Sequence, residues 1–451
     1  MKNRNLLLLL LAATVWRLFF IGLWGPLAYP DSPAYENLAQ NLLAGKGYVD
    51  TRPYQVMDAS MIRTPGYPLF LAGIRALFPG QDLILILIQQ ILGVMTVGFI
   101  YGCGKLLVDE KTGLAAGLLS AFHPWLAIFG NIVMTETLFL FLLTLSMLFL
   151  TAGLQKRKFP GIILAGLTFG LSSLVRPAFL LFPLILPVGM FILLKKKGPA
   201  LRYSLLFGVS CLLVLMPWIA WNRAHKGYTG LTAFSGINLL TLVQPPSSFY
   251  SGHDPFQDAL RNSCSGGGKE VPSTIPAEVG RQLVFKQATM PCTYLALRTL
   301  RDQGYSQAAI DRGFYVIART YILRNPIAYL SAAGRQMLKL WSGYPLEWLG
   351  GKFSKRLQQN RRDGDRLIGW AKIFARIGLG MLLIILTAWG AARIVARQSP
   401  LFLMLLLIAS ITLACGLITA ADTRYRLPAE PFIMLVIAYG IKDKGRPAGE
   451  R

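Results

Sequence analysis

Residues 5–25, NLLLLLLAATVWRLFFIGLWG, form an almost unbroken apolar stretch that follows Lys2 and Arg4. At about 1.5 Å per residue, a helix of this length crosses the roughly 30 Å hydrocarbon core of a bilayer. We see no small-residue cleavage site before Asp31, so the stretch predicts a retained first transmembrane helix rather than a cleaved signal peptide. The basic residues in front of it predict a cytoplasmic N-terminus.

The rest of the chain repeats this apolar pattern. Hydrophobic residues make up 54% of the sequence and charged residues only 15%, whereas about a quarter of a soluble protein is charged. The chain is therefore predicted to be an all-α polytopic membrane protein with about ten transmembrane helices. The further predicted spans are 82–103, 113–130, 135–154, 161–175, 177–194, 201–222, 367–390, 400–420 and 428–441.

The net charge of +25 indicates membrane topology rather than nucleic-acid binding, because Lys and Arg concentrate in the short loops on one side. This positive-inside pattern assigns those loops to the cytoplasm and favours contacts with anionic lipids. The chain then divides into an N-terminal catalytic bundle with an outer loop, a long outer region with interfacial helices, and C-terminal helices with a basic tail. The predicted boundaries are 1–222 (outer loop 26–81), 223–366 and 367–451.

The acidic residues are predicted to lie outside the middle of every span. A charge at mid-membrane costs about 2.5–3.5 kcal/mol, and ion-coupled transporters accept that cost along the ion path. The absence of a predicted acidic residue at mid-span favours an interfacial enzyme. A transporter or flippase of a lipid-linked anionic sugar carrier remains the alternative. A non-catalytic membrane subunit is the third hypothesis. Cys264 and Cys292 share the long outer region, where a disulfide is a further hypothesis.

Asp31 stands where the chain leaves the first span. Ser32 is a good N-cap and Pro33 suits the first helical position, so a short amphipathic helix is predicted to follow, with Gly45 as its stop. The carboxylate can serve chemistry at the membrane surface. Equally, it can merely complement the positive end of that helix.

Further polar motifs map to the same predicted outer face. Arginine suits phosphate because its planar fork is always charged, although each such arginine could instead contact lipid headgroups. Glu136 opens the fourth span. A carboxylate in the first turn of a helix is commonly only a partner of the helix dipole, but one this close to hydrocarbon favours a functional role. The candidate ligands for a donor phosphate or substrate are Tyr35, Arg63, Tyr67, Arg176, Asn222, Arg223, Arg424, Tyr425 and Arg426, with Arg17 as a further candidate inside the first span.

The motifs together resemble the GT-C superfamily of membrane glycosyltransferases, in particular its family 39 protein-mannosyltransferase-like and bacterial aminoarabinose-transferase-like group. The resemblance rests on five segments in the family's order: Asp31–Tyr35 with Gly45–Tyr48, Arg63–Pro68, Thr135–Glu136, Pro217–Arg223 and Arg424–Pro428. It implies a GT-C-like bundle, for which 11–13 helices is the alternative count.

The resemblance also implies an activity. Such enzymes transfer a sugar from a polyprenyl-phosphate carrier to an acceptor hydroxyl. The acceptor expected here is a glycan, a lipid or a protein, and no nucleic-acid partner is expected. Asp31 inherits the role of the catalytic acidic residue and Glu136 that of the second acid, with a divalent metal on these two carboxylates left open. One base opposite the leaving phosphate predicts inversion. The predicted location is a bacterial inner membrane, with the site on the periplasmic side.

Overall fold

The structure is a computed structural model of the 451-residue chain. Its described part is built from helices and one isolated backbone bridge, between Leu27 and Ile132. The structure describes residues 4–27, 29–53, 55, 57–250, 254–265, 292–341, 365–397, 399–418 and 423–442.

Four helices in the described part are long and apolar enough to cross a membrane. They coincide with the first, second, fourth and seventh predicted spans, and they are α1 (Arg4–Trp24), α5 (Asp82–Leu107), α8 (Glu136–Lys156) and α11 (Lys197–Lys226). A fifth candidate is the pair α6 (Glu110–Ala121) and Pro124–Asn131, which comprises α7 (Pro124–Ile128) and a 3₁₀ turn, and the two are bent by 61° at the break between them.

The remaining predicted spans coincide with other apolar helices, so the expected membrane bundle of helices is confirmed. These helices are α9 (Phe159–Val175), α10 (Phe182–Leu194), α17 (Asp365–Ala396), α18 (Phe402–Leu417) and α19 (Glu430–Lys442). Large apolar side chains on the outside of the bundle remain exposed, as expected of helices that face lipid.

The first loop carries three short helices beside the bundle, namely α2 (Ser32–Leu43), α3 (Ala59–Ile62) and α4 (Gly66–Leu77). In α2, the predicted apolar face is buried at Tyr35, Leu38 and Ala39. The helix ends where the sequence predicts, because Gly45 adopts φ +70°, a conformation that glycine tolerates better than other residues. The amphipathic helix after Asp31 is thus confirmed.

Among the residues that the structure describes, five helices form a separate cap with its own apolar core, in which Ile237, Leu240 and Phe314 are fully buried. The cap consists of α12 (Ser235–Val243), α13 (Pro255–Ser265), α14 (Cys292–Asp302), α15 (Gln307–Arg324) and α16 (Pro326–Trp341). Hydrogen bonds attach it to the first loop: Asp58 N donates to Gln307 Oε1 at 2.7 Å, and Ala233 N donates to Met61 O at 2.7 Å.

A buried polar network joins α1 to the turn before α8. Leu27 N donates to Asn131 O at 2.7 Å, and Asn131 Nδ2 donates to Phe20 O at 2.9 Å. Buried polar groups need such partners, since an unpaired one costs about 1–3 kcal/mol. The network therefore fixes the chain after α1 against the turn that leads into Glu136, and so brings the ends of two spans together.

Arg17 belongs to this network and does not join an anion site. Its Nη1 donates to Gln90 Oε1 at 2.7 Å and to Leu126 O at 3.0 Å, and the residue is only 3% exposed. Gln90 in turn donates to Asn131 Oδ1 at 2.6 Å. The guanidinium of Arg17 thus serves the packing of α1, α5 and the turn that follows α7.

Candidate active site

Asp31 lies at the N-cap position of α2, but its side chain makes no capping hydrogen bond. Its two carboxylate oxygens instead form separate ion pairs, Oδ1 with Arg63 Nη2 at 2.9 Å and Oδ2 with Arg424 Nη2 at 3.0 Å. The carboxylate is 23% exposed, so an entering molecule can reach it. The simple interpretation as a helix-capping residue does not describe this geometry.

The electrostatics of Asp31 are set by opposing effects. Burial raises the pKa of Asp31, but Arg63 and Arg424 together lower it by more, and the net pKa falls below its ordinary value. Burial also lowers the pKa of Arg63, yet Tyr35 and Asp31 outweigh that effect and raise it. The pKa of Arg424 is likewise raised well above its ordinary value, so Asp31, Arg63 and Arg424 are all charged at neutral pH.

Arg63 is held in place by the backbone around it. Thr64 Oγ1 donates to Val175 O at 3.1 Å, which ties the segment to the end of α9. Gly66 allows the approach, because a Cβ there would lie 2.7 Å from Leu174 O. Tyr48 Oη donates to the Arg63 carbonyl at 3.0 Å. The Arg-Thr-Pro-Gly segment therefore fixes the backbone of Arg63 against the end of α9.

Glu136 and Arg176 form a second, more buried ion pair beside the first. Glu136 is the first residue of α8 and is 0% exposed, and its Oε1 accepts from Arg176 Nη1 at 2.7 Å. Arg176 follows directly after α9. Two apolar helices of the bundle, α8 and α9, thus place opposite charges beside Asp31.

Tyr425 connects the two ion pairs. The guanidinium carbon of Arg176 lies 4.8 Å from the centre of the Tyr425 ring, and that of Arg424 lies 5.3 Å from it. Arg424 also sits 4.7 Å from the Tyr29 ring. Such cation–π contacts contribute about 0.5–2 kcal/mol each and orient the guanidinium plane. The site is therefore a continuous run of alternating charges and rings.

Aromatic residues support the other side of the site. Arg63 lies 5.2 Å from the Tyr35 ring, which meets the Tyr67 ring edge to face at 5.1 Å. Tyr67 is fully buried and its Oη donates to Gln89 Oε1 at 2.9 Å. Tyr67 thus lies behind Tyr35 as a support rather than as a group that an entering phosphate can contact.

Three of the predicted ligands lie elsewhere. Arg426 turns away from Asp31 into the bundle, where its Nε donates to Glu430 Oε1 at 2.7 Å and its Nη1 donates to Leu340 O at 3.2 Å. Asn222 is buried and donates to Gly230 O at 2.8 Å. Arg223 is exposed at the end of α11.

The structure adds residues that the sequence did not single out. Tyr29 stacks with Arg424, and Tyr48 and Thr64 fix the backbone of Arg63. Tyr294 of the cap lies within electrostatic range of Asp31, Arg63 and Tyr425, and burial raises its pKa to about 12. Tyr294 has no local sequence signal, because only the folding of the cap over the bundle brings it near.

The described residues hold no group of three His, Cys, Asp or Glu side chains suited to a metal ion. Asp31 already binds two guanidinium groups and Glu136 binds one. A divalent cation would have to displace these positive charges, so the two carboxylates do not fit a metal ion as they are arranged.

The predicted disulfide falls on Cys264 and Cys292, whose side chains lie outside the described part.

Comparison with known families supports the resemblance. A family model for dolichyl-phosphate-mannose-protein mannosyltransferase matches residues 62–221. This range contains Arg63, Glu136 and Arg176 but neither Asp31 nor Arg424. No curated protein matches the chain.

Archaeal solved structures share the fold at low sequence identity. Archaeal oligosaccharyltransferase AglB from Archaeoglobus fulgidus, in complex with an inhibitory peptide and a dolichol-phosphate, matches with a TM-score of 0.54 and 13% identity over 98% of this chain and 50% of that chain. The apo form of the A. fulgidus enzyme gives 0.53 and 15% over 97% and 50%. ArnT from Cupriavidus metallidurans bound to undecaprenyl phosphate gives 0.43 and 14% over 98% and 78%.

The chain spans about half the length of the archaeal structures that it matches. The family model and the shared fold together confirm the predicted resemblance to the GT-C superfamily.

Proposed function

We propose that this chain, whose fold is that of the GT-C membrane glycosyltransferases, transfers a sugar from a polyprenyl-phosphate donor to an acceptor hydroxyl. The observation that carries the proposal is the carboxylate of Asp31 held between Arg63 and Arg424, with the Glu136–Arg176 pair beside it. Such a site combines a base with cations that can hold a phosphate, at the end of membrane-spanning helices.

The arginines are suited to the leaving phosphate. In the part of the site that the structure describes, three guanidinium groups, those of Arg63, Arg176 and Arg424, pair with the carboxylates of Asp31 and Glu136. Guanidinium binds phosphate through parallel hydrogen bonds and stays charged throughout the reaction. These cations stabilise the negative charge that develops on the phosphate as the sugar departs.

Donor binding also prepares Asp31. In the resting site, Arg63 and Arg424 keep the pKa of Asp31 low, and so weak a base removes a hydroxyl proton poorly. A donor phosphate attracts the same two guanidinium groups away from the carboxylate. The pKa of Asp31 then rises and its oxygen becomes available to the acceptor. General-base catalysis of this kind typically contributes about 10²–10⁴-fold.

The proposed step is a single displacement. The acceptor oxygen bonds to the anomeric carbon while the bond from that carbon to the phosphate oxygen breaks. The acceptor proton passes to Asp31, and the polyprenyl phosphate leaves with the electron pair, next to the arginines. Attack opposite the leaving group inverts the anomeric carbon.

Glu136 acts as a positioning residue in this proposal. It is fully buried and its Oε1 accepts a hydrogen bond from Arg176, so it is placed to hold that guanidinium rather than to meet an acceptor. Arg176 then stacks on Tyr425. The carboxylate of Glu136 thereby keeps one phosphate-binding cation at a fixed height in the site.

The acceptor is proposed to enter on the outer, periplasmic face, from the side of the cap. The charge distribution of the short loops supports this orientation. The charges of Arg63 and Asp31 act on Tyr294 of α14, and we propose that this part of the cap influences which hydroxyl compound approaches. The acceptor classes in question are a glycan, a lipid and a protein.

The activity is tested with purified protein in proteoliposomes and a panel of synthetic polyprenyl-phosphate sugars, hexosyl and pentosyl, in the presence of a cell-envelope extract. Release of free polyprenyl phosphate is measured by mass spectrometry. Release that requires the protein supports transfer. Movement of the intact donor between leaflets without release would instead establish a flippase.

A further inference from the structure

The corner between α15 and α16 exposes large apolar side chains that no other part of the protein covers in the described residues. Leu323 is 71% exposed, Ile327 82%, Leu330 62% and Leu338 73%. Residues 327, 330 and 338 share one face of α16, since helical positions three, eight and eleven apart lie on one side. We refer to these four residues as the apolar stripe.

The opposite face of α16 packs against the membrane bundle. Leu340 is buried there in the core of the bundle, whereas Ala332 belongs to the core of the cap. Tyr329 Oη donates to the carbonyl of Leu417, the last residue of α18, at 2.8 Å. Because Leu417 ends an apolar helix of the bundle, this hydrogen bond holds α16 at the end of that helix.

The charged residues of the segment 312–341, which carries the apolar stripe, all have one sign. Residues 312–341 contain five basic residues and no acidic residue. Basic side chains that flank an apolar helical face are the pattern of helices that lie in the headgroup plane of anionic membranes. The basic residues are Arg312, Arg319, Arg324, Arg335 and Lys339.

We infer that the apolar stripe docks into the leaflet beside the proposed active site and that its basic flank binds anionic phospholipid headgroups. A second copy of the chain is a poorer partner, because a two-fold interface would bring identical positive surfaces together. An anionic leaflet offers hydrocarbon for the stripe and negative charge for the flank, at about 1 kcal/mol per basic residue near the surface.

Docking would also fix the height of the active site. The carbonyl of Leu340, near the end of α16, accepts a hydrogen bond from Arg426 Nη1 at 3.2 Å. Two residues earlier in the same segment, Arg424 pairs with Asp31. The lipid-docked helix therefore adjoins the segment that carries a proposed phosphate ligand, a consequence that rests on the proposed function, whereas the docking itself does not.

The test places a benzophenone amino acid at Ile327 or Leu338 in the full-length protein, with Thr299 of α14 as an exposed control. The protein is irradiated in nanodiscs of equal phosphatidylglycerol and phosphatidylcholine without any polyprenyl lipid, and the adducts are weighed. Phospholipid adducts at 327 and 338 but not at 299 are expected. Crosslinked dimers, or no lipid adduct at either position, would overturn the inference.

A second arm tests the headgroup preference. The double variant Arg324→Gln/Arg335→Gln should reduce the ratio of phosphatidylglycerol to phosphatidylcholine adducts at Ile327, by up to about fivefold per residue removed. Lys196→Gln/Lys197→Gln removes the same charge at the N-terminal end of α11 and should leave the ratio unchanged. Equal ratios in all proteins would overturn the anionic part of the inference. Both sites are exposed, and gel filtration confirms that each variant is folded.

Discussion

The carboxylate of Asp31 accepts a hydrogen bond from Arg424, 393 residues further along the chain, at 3.0 Å. Asp31 occupies the N-cap position of α2 yet leaves the backbone N–H groups there without its side chain. This carboxylate therefore joins the first loop to the segment Thr423–Ala429, which precedes α19. That contact closes a site to which α8 and α9 also contribute.

The first prediction concerns pH. Asp31 acts as a base only when ionised, so kcat/KM should fall as the pH falls through its pKa, which Arg63 and Arg424 lower. Arg63→Gln removes one of these cations and should raise that pKa. The acid limb of the kcat/KM profile should then move to higher pH, in addition to any loss of donor affinity.

The matched control for this profile is Arg52→Gln. Arg52 is also a loop arginine paired with an aspartate, Asp50, through a 2.8 Å contact. Its removal should leave the position of the acid limb unchanged. An acid limb that stays in place in Arg63→Gln, with activity still measurable, would contradict the assignment of that limb to Asp31.

A second prediction concerns the close approach at Gly66. Gly66→Ala places a Cβ 2.7 Å from Leu174 O, which should push α4 from the end of α9 and separate Arg63 from Arg176. We expect a lower midpoint of thermal unfolding and a raised KM for the donor. Gly73→Ala on the same helix meets no atom within 4 Å and should be neutral or stabilising by about 0.5–1 kcal/mol.

The comparison within α4 is decisive because both variants add one methyl group. If Gly66→Ala were as stable and as active as Gly73→Ala, the close packing of α4 on α9 would not be what positions Arg63. Thermal unfolding in detergent and initial rates of polyprenyl phosphate release supply the two measurements.

The third prediction concerns the buried pair Glu136–Arg176. Glu136→Ala removes a fully buried carboxylate and leaves the guanidinium of Arg176 without that partner. Breaking a buried ion pair in this way typically lowers the free energy of unfolding by about 3–5 kcal/mol. Glu136→Ala/Arg176→Ala should cost less than the sum of the single variants. Additive losses in this double-mutant cycle would show that the two side chains are not coupled.

The fourth prediction concerns the ring between Arg176 and Arg424. Tyr425→Phe keeps a ring for both guanidinium groups and should retain most of the activity. Tyr425→Leu removes both cation–π contacts, each about 0.5–2 kcal/mol, and should lower kcat/KM by about fivefold or more. Equal activity of the Phe and Leu variants would show that the ring does not orient the arginines.

Much of the architecture could be predicted from the sequence. Apolar blocks of the right length identified the spans, and the pattern Tyr35, Leu38, Ala39 with Gly45 identified α2, because both signals depend on local hydrophobicity and backbone conformation. Asp31, Glu136, Arg63, Arg176 and Arg424 were singled out by charge at one predicted face, and the structure brings these five together.

Other features of the site depend on tertiary packing that a local sequence does not encode. Arg424 and Arg426 are two residues apart, and only the path of the segment Thr423–Ala429 directs one to Asp31 and the other to Glu430. Asn222 donates a hydrogen bond to the carbonyl of Gly230, and no sequence motif predicts this contact.

The central claim is that Asp31 is the base of a transfer reaction. Asp31→Asn keeps the side-chain size but cannot accept the proton, so release of polyprenyl phosphate should fall by at least about 10²-fold, while labelled donor still binds. Asp302→Asn, at a 73% exposed carboxylate of the cap, should retain the full rate. An Asp31→Asn protein that binds donor and turns it over at the wild-type rate would contradict the claim.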